Sequence, residues 1–257
     1  MHILCIGDVV GENGCRYLRK ILPNLKRVNA VDVCIANGEN SAKGNGITPY
    51  SADFLLSSGV DAITSGNHVF RRPEIYDYFS DNKPLIRPAN YRDTAPGKGY
   101  VILDKGFVQI AVINVLGTVY MENLYNPFDT VDELLQNEEI SSCKIKLLDF
   151  HAEATSEKRA MGYYVDGRIT AIFGTHTHVP TADACLLPKG TAYITDLGMT
   201  GPTESVLGVE INKVIEKFRT NMPVRFGNPD TECKLEGIIL DVDQKTGLAV
   251  SIEQIFA

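Results

Sequence analysis

The sequence predicts an α/β protein with layered, mixed sheets. Three observations carry this expectation. Short apolar runs alternate with helix-like stretches early in the chain, two apolar runs near its middle are parted by little more than "KG", and two more near its end are joined around "QKTG". Strand–helix alternation favours parallel pairing and tight turns impose antiparallel neighbours, so both should coexist.

The elements follow in order. "HILCIG" reads as a strand and "CRYLRKILPNLKR" as a helix interrupted at Pro23, where a helical hydrogen bond is lost. "VDVCIAN" is a second strand. "TPYSADFLLSSG" opens a helix with Thr48 as N-cap and Pro49 in the first turn, and Gly59 closes it. "VDAITSG" is a third strand, and "GYVILDK" with "FVQIAVINV" makes a hairpin. In "TVDELLQ" the Thr130–Glu133 spacing is that of a capping box, which predicts a helix over 131–138. "KIKLLDF" and "ITAIFG" read as buried strands around a helix over "SEKRAMGYYV". Strands at "ADACLLP" and "AYITD", a helix over "VEINKVIEKFR" and a hairpin of "LEGIILDVD" with "LAVSIEQI" complete the order. No linker or repeat divides the chain, so residues 1–257 are expected to form a single domain.

Composition narrows the function. The 257 residues are 44% apolar, enough for a substantial core. No basic leader precedes "HILCIG" and no run is long enough to span a bilayer, so a cytoplasmic chain without a membrane partner is expected. Six scattered cysteines without a CxxC suit reduced thiols, with Cys5 and Cys34 as small core residues. A net charge of -7 argues against duplex nucleic acid, whose phosphates demand many cations. It leaves room for a small anionic substrate held through metal ions.

Polar residues gather where five apolar runs end. They are Asp8 in "GD", Glu39 and Asn40 in "NGEN", Asn67 and His68 in "SGNH", His151 in "DFH", and His176 with His178 in "GTHTH". Four of the five histidines fall in this set, and only His2 is left over. Each has a bland alternative: Asp8 as a helix cap, Glu39 and Asn40 in a Gly-rich turn, Asn67 in a left-handed turn, His151 as a bonded core histidine. Together they are harder to dismiss, because open α/β sheets bind ligands beyond the carboxyl ends of their strands. If the strand before them runs on extended, His176 and His178 project to one face. Carboxylate, amide and imidazole donors without cysteine suit a borderline or hard divalent metal. Asp8, Glu39, Asn40, Asn67, His151, His176 and His178 exceed the three protein ligands of a lone catalytic zinc, so two metals fit better.

The order GD, GE-N, GNH, H, GTHTH resembles the calcineurin-like metallophosphoesterases, whose pattern is DxH, GD, GNH, H, GHxH. Val10 stands where that superfamily places a histidine, and Glu39, followed by Asn40, replaces an aspartate. Both departures, with "HAEATSEK" (151–158) and "DLGMTGP" (196–202), resemble the bacterial YmdB-like family of cyclic-nucleotide phosphodiesterases across nearly the whole chain.

The resemblance implies a four-layer α/β/β/α sandwich with two mixed sheets and two metal ions, iron or manganese. One ion would take Asp8, Glu39, Asn40 and His178, and the other Glu39, Asn67, His151 and His176, with Glu39 bridging. A water activated between them would attack the phosphorus of a 2′,3′-cyclic nucleotide while His68, not required as a ligand, protonates the leaving ribose oxygen. Self-association into a homo-oligomer is also expected. Two rivals stand beside this reading. One is a metal-dependent phosphomonoesterase or nucleotidase, disfavoured because Val69 follows the GNH motif where those relatives often carry an acid. The other is a regulatory protein that keeps the metal site without turnover. Arg71, Arg72 and Arg87 are left outside the site, and "DLGMTGP" is expected as a loop beside the metals or a Gly-rich turn.

Overall fold

A computed structural model of the chain describes residues 1–81 and 83–257. The first part is strand–helix–strand: β1 (His2–Val9), α1 (Gly11–Val28), β2 (Val31–Asn37), α2 (Pro49–Ser57), β3 (Ala62–Thr64) and a short α3 (Ile75–Tyr78). Next come β4 (Tyr100–Asp104), β5 (Gln109–Leu116), α4 (Pro127–Gln136), α5 (Glu138–Ser142), β6 (Ile145–His151), α6 (Thr155–Val165), β7 (Ala171–Thr175), β8 (Cys185–Leu186) and β9 (Ala192–Ile194). The remainder is β10 (Met199–Pro202), α7 (Ile211–Thr220), β11 (Cys233–Lys234), β12 (Glu236–Val242) and β13 (Ala249–Phe256).

Two mixed sheets result, as the sequence predicts. In one, β1 pairs in parallel with β2 and β10 and antiparallel with β12, which in turn holds β13. The other runs β4-β5-β6-β7-β9-β8, parallel in its middle and antiparallel at both edges.

Side-chain alternation along the strands builds the layers. Ile3 and Cys5 of β1 face Val112, Leu147 and Phe173 of the opposite sheet in one core. Leu4 and Ile6 turn the other way, onto Cys15, Leu18 and Leu22 of α1 and Leu55 of α2. On the far side Ala111, Ile113 and Leu148 meet Val131 of α4, Ile140 of α5 and Met161 of α6. The order is helices, sheet, sheet, helices.

Several local expectations need correction. α1 runs unbroken through Pro23, whose exposed position leaves the freed carbonyl to solvent while Leu18 and Leu22 hold the helix down. α4 begins at Pro127, because the Asn126 side chain accepts from the amides of Phe128 and Asp129, and Thr130 lies inside the helix. Thr48 caps α2 as expected, in a capping box with Ser51. Within "DLGMTGP", residues 199–202 are neither loop nor turn: they form β10, in register with β1 through Asp8 and Met199. All six cysteines are unpaired, and Cys5 and Cys34 lie in the core.

Candidate metal centre

Every residue singled out at a strand end lies at the carboxyl edge of the sheets. Asp8 is near the end of β1, Glu39 and Asn40 follow β2, and Asn67 and His68 follow β3. His151 is the last residue of β6, and His176 and His178 follow β7. The first five come from one sheet and the last three from the other, so the cluster forms where the two sheets meet.

Contacts join all eight. His178 Nε2 lies 3.6 Å from Asp8 Oδ1 and 3.2 Å from Asn40 Nδ2. Asn40 Nδ2 donates to Glu39 Oε1 at 3.0 Å, and Asn40 Oδ1 lies 3.0 Å from His68 Nδ1. Glu39 Oε1 is 3.1 Å from His68 Nδ1 and 3.5 Å from His151 Nε2. His151 Nε2 in turn is 3.1 Å from Asn67 Oδ1 and 3.1 Å from His176 Nδ1.

His176 and His178 do not converge as an extended pair. β7 stops at Thr175, and both residues take left-handed backbone conformations, φ 104° and 62°. Such angles are costly for non-glycine residues and persist only where surroundings enforce them. The amide of His176 donates to Asp8 Oδ2 at 3.0 Å and that of Thr177 to Asp196 Oδ2 at 3.1 Å, so two carboxylates hold consecutive peptides.

Outer partners fix which ring nitrogen each histidine presents. Thr175 Oγ1 donates to Asp149 Oδ1 at 2.7 Å, so it accepts from His151 Nδ1 at 2.8 Å and turns His151 Nε2 toward the cluster. His178 Nδ1 donates to the Leu207 carbonyl at 3.0 Å, and His176 Nε2 meets Glu153 Oε2 at 3.0 Å. Pinning the far nitrogen in this way is how proteins orient metal-binding imidazoles. Asp149, Thr175, Glu153 and Leu207 escaped the sequence reading. Only Asp149 left a signal, a carboxylate two residues before His151 in an otherwise apolar strand.

The electrostatics favour a cation. Burial alone would raise the Glu39 carboxyl, but His151 and His68 outweigh it and hold it well below the ordinary carboxylate range. Asp8 is also lowered, burial being outweighed by His178. Burial opposes charge on His151, yet Glu39, Asp8 and Asp149 lift it to about 9. His176 is pushed down to about 4, by burial and then by the neighbouring His151.

The residues fit a metal on three counts. Asp8 Oδ1 is buried and, among the described residues, has no hydrogen-bond partner. Donor atoms of Glu39, His151 and His176 all lie within 4.8 Å of one another. At Gly66, a Cβ would run into His151 and Glu39, so this space has been left clear of side chains. Beside the cluster opens a cleft of about 490 Å³, lined by His68, Asn45 and Glu153 and walled by Val10, Leu207, Val209 and Phe226. Two of the three arginines are spent on backbone: Arg72 binds the carbonyl of cleft-lining Asn45, and Arg87 is buried against the carbonyls of Pro88 and Ala89.

Two mixed sheets between helices, with oxygen and nitrogen donors at their carboxyl edges, form a metallophosphoesterase-like architecture, and the donors of Glu39, His151 and His176 could hold a metal ion. A Staphylococcus aureus protein provisionally described as a 5′-nucleotidase shares it with a TM-score of 0.62 at 16% identity, over 99% of this chain and 54% of that one. The chain belongs to the YmdB-like protein family, whose profile matches residues 4–255. It is 46% identical over 255 residues to the 2′,3′-cyclic-nucleotide 2′-phosphodiesterase of Bacillus subtilis, covering 99% of this chain and 96% of that one. The crystal structure of a novel phosphatase from Mycoplasma pneumoniae superposes with a TM-score of 0.94 at 34% identity, over 100% and 93% of the two chains. Among the described residues, no helix is long and apolar enough to cross a membrane.

Proposed function

We propose that this chain is a metal-dependent phosphodiesterase that opens 2′,3′-cyclic nucleotides. The observation that carries the reading is the meeting of Asp8, Glu39, Asn40, Asn67, His151, His176 and His178 in one connected cluster, with Glu39, Asn40, His176 and His178 lining the same cleft as His68. The likeness to the Bacillus subtilis enzyme supports the substrate class. Asp8, Glu39, Asn40 and His178 would hold one ion and Glu39, Asn67, His151 and His176 the other, iron or manganese. Two such ions would supply a water of lowered pKa and neutralise charge on a phosphoryl group. Glu39 supports the bridging role because its Oε1 faces both Asn40 and His151.

His68 carries the proton. Its Nδ1 is engaged by Asn40 and Glu39, which leaves Nε2 as the ring atom able to reach a substrate in the cleft. There it protonates the ribose oxygen as that oxygen leaves phosphorus. The nucleoside lies along the apolar wall, in a space of the size ligand sites usually have. Base stacking on an aromatic ring is worth about 1–3 kcal/mol, so Phe226→Ala should raise KM for the nucleotide by about 5- to 150-fold and leave kcat largely intact. An unchanged KM would remove Phe226 from the binding wall.

The nucleotidase reading is the weaker one. Val69 is fully buried, so no acidic side chain flanks His68 from that position. A panel of 2′,3′-cyclic, 3′,5′-cyclic and linear nucleotides, run on metal-loaded protein, tests the proposal. Higher kcat/KM on the 2′,3′-cyclic compounds is expected. Equal or higher efficiency on monophosphates would favour the nucleotidase, and binding without turnover would favour a regulatory protein.

A further inference from the structure

A lysine and an aspartate that no catalytic role claims lie sealed behind the metal centre. Lys158, on α6, is 1% exposed, and Asp196, between β9 and β10, is 0% exposed. Lys158 Nζ donates to Asp196 Oδ2 at 2.7 Å and to the Thr175 carbonyl at 2.8 Å. Asp196 Oδ2 also accepts from the Thr177 amide at 3.1 Å, and its Oδ1 accepts from the Gly198 amide at 2.9 Å. The Gly198 carbonyl, in turn, accepts from the amide of Asp8 at 3.1 Å.

We infer that Lys158 and Asp196 are positioning residues that lock the two sheets' metal-ligand segments in register. On one side the pair grips the carbonyl before His176 and the amide between His176 and His178, where both histidines hold left-handed backbone angles. On the other it reaches Asp8 through Gly198. A buried ion pair is weak support for stability as such, since apolar replacements are often neutral. Its worth here lies in the three hydrogen bonds it directs at backbone peptides beside the ligands. The inference rests on the metal-binding reading of the site and is independent of the substrate.

Manganese(II)-loaded full-length protein, challenged with graded EDTA while its melting temperature is followed, provides the test. A Lys158→Met, Asp196→Leu double variant removes both charges together, so no lone ion is left buried. It should fold and yet release manganese about 10- to 100-fold more readily, the usual cost of losing an outer partner of metal ligands. Leu22→Ala, a core change on α1 in the layer packed against Leu4 and Ile6, serves as a control for plain destabilisation. It should lower the melting temperature and keep wild-type metal retention. A folded double variant that keeps manganese as tightly as wild type would overturn the inference, as would equal metal loss from Leu22→Ala. Should the double variant not fold, Asp196→Asn decides by the same readout, being of the same shape but uncharged. Wild-type protein that retains neither manganese nor iron would defeat the metal reading itself, and the clamp with it.

Discussion

Glu39→Ala protein should lose metal from both positions of the centre, with affinity down by more than about 100-fold. That exceeds the about 10- to 100-fold that follows loss of a mere outer partner. Glu39 is buried, its oxygens face Asn40, His151 and the His68 amide, and its carboxyl is held ionised by the histidines around it. No neighbouring group can substitute for a carboxylate there. Asn40→Ala should behave differently and weaken chiefly the ion shared with Asp8 and His178, because Asn40 touches His178 but not His151 or His176. Metal content per chain, measured on each variant beside wild type, checks both. Full occupancy after Glu39→Ala would refute the bridging role.

For His68→Ala the expected result is unchanged metal content with kcat on a cyclic nucleotide reduced about 10²- to 10⁴-fold, the range typical of general acid catalysis. A nitrophenyl phosphodiester, whose leaving group needs little protonation, should lose much less. Position alone predicts equal losses on both substrates. Because His68 Nδ1 lies 3.1 Å from Glu39 Oε1, metal analysis must accompany the kinetics. Equal losses, or a missing metal, would mean that His68 orients the site and does not supply the proton.

The donor residues were legible because they interrupt apolar strands at the ends where α/β sheets expose functional groups. An aspartate, glutamate or histidine closing one such run has a bland reading, but several runs ending this way do not. Their convergence was legible only collectively, and the reason given for the His176–His178 pair was wrong in detail: a loop with forced backbone angles brings them in. β10 could not be read, since its Gly- and Pro-rich residues have weak strand propensity and are strands only because β1 offers an edge. The Lys158–Asp196 pair was equally hidden, because a lysine in a helix and an aspartate in a turn carry no local sign of each other. At α4 two capping signals competed, and Asn126 with Pro127 prevailed over Thr130.

The pairing of β1 has a consequence for how the protein reaches its working state. This strand leaves the ribosome well before β10 and β12, which complete the edge opposite β2 from residues 199–202 and 236–242. Asp8 and the His176 amide it holds are 168 positions apart. Non-local pairing of this kind is slow, and an unpaired apolar edge invites misassociation while it waits. The β1–β2 pair and the early helices can form during synthesis, but the centre cannot exist until the second sheet has docked and the chain has returned to β1. Catalytic competence is therefore a late, all-or-none product of maturation, and the appearance of activity in a refolding experiment should lag behind the recovery of helical signal.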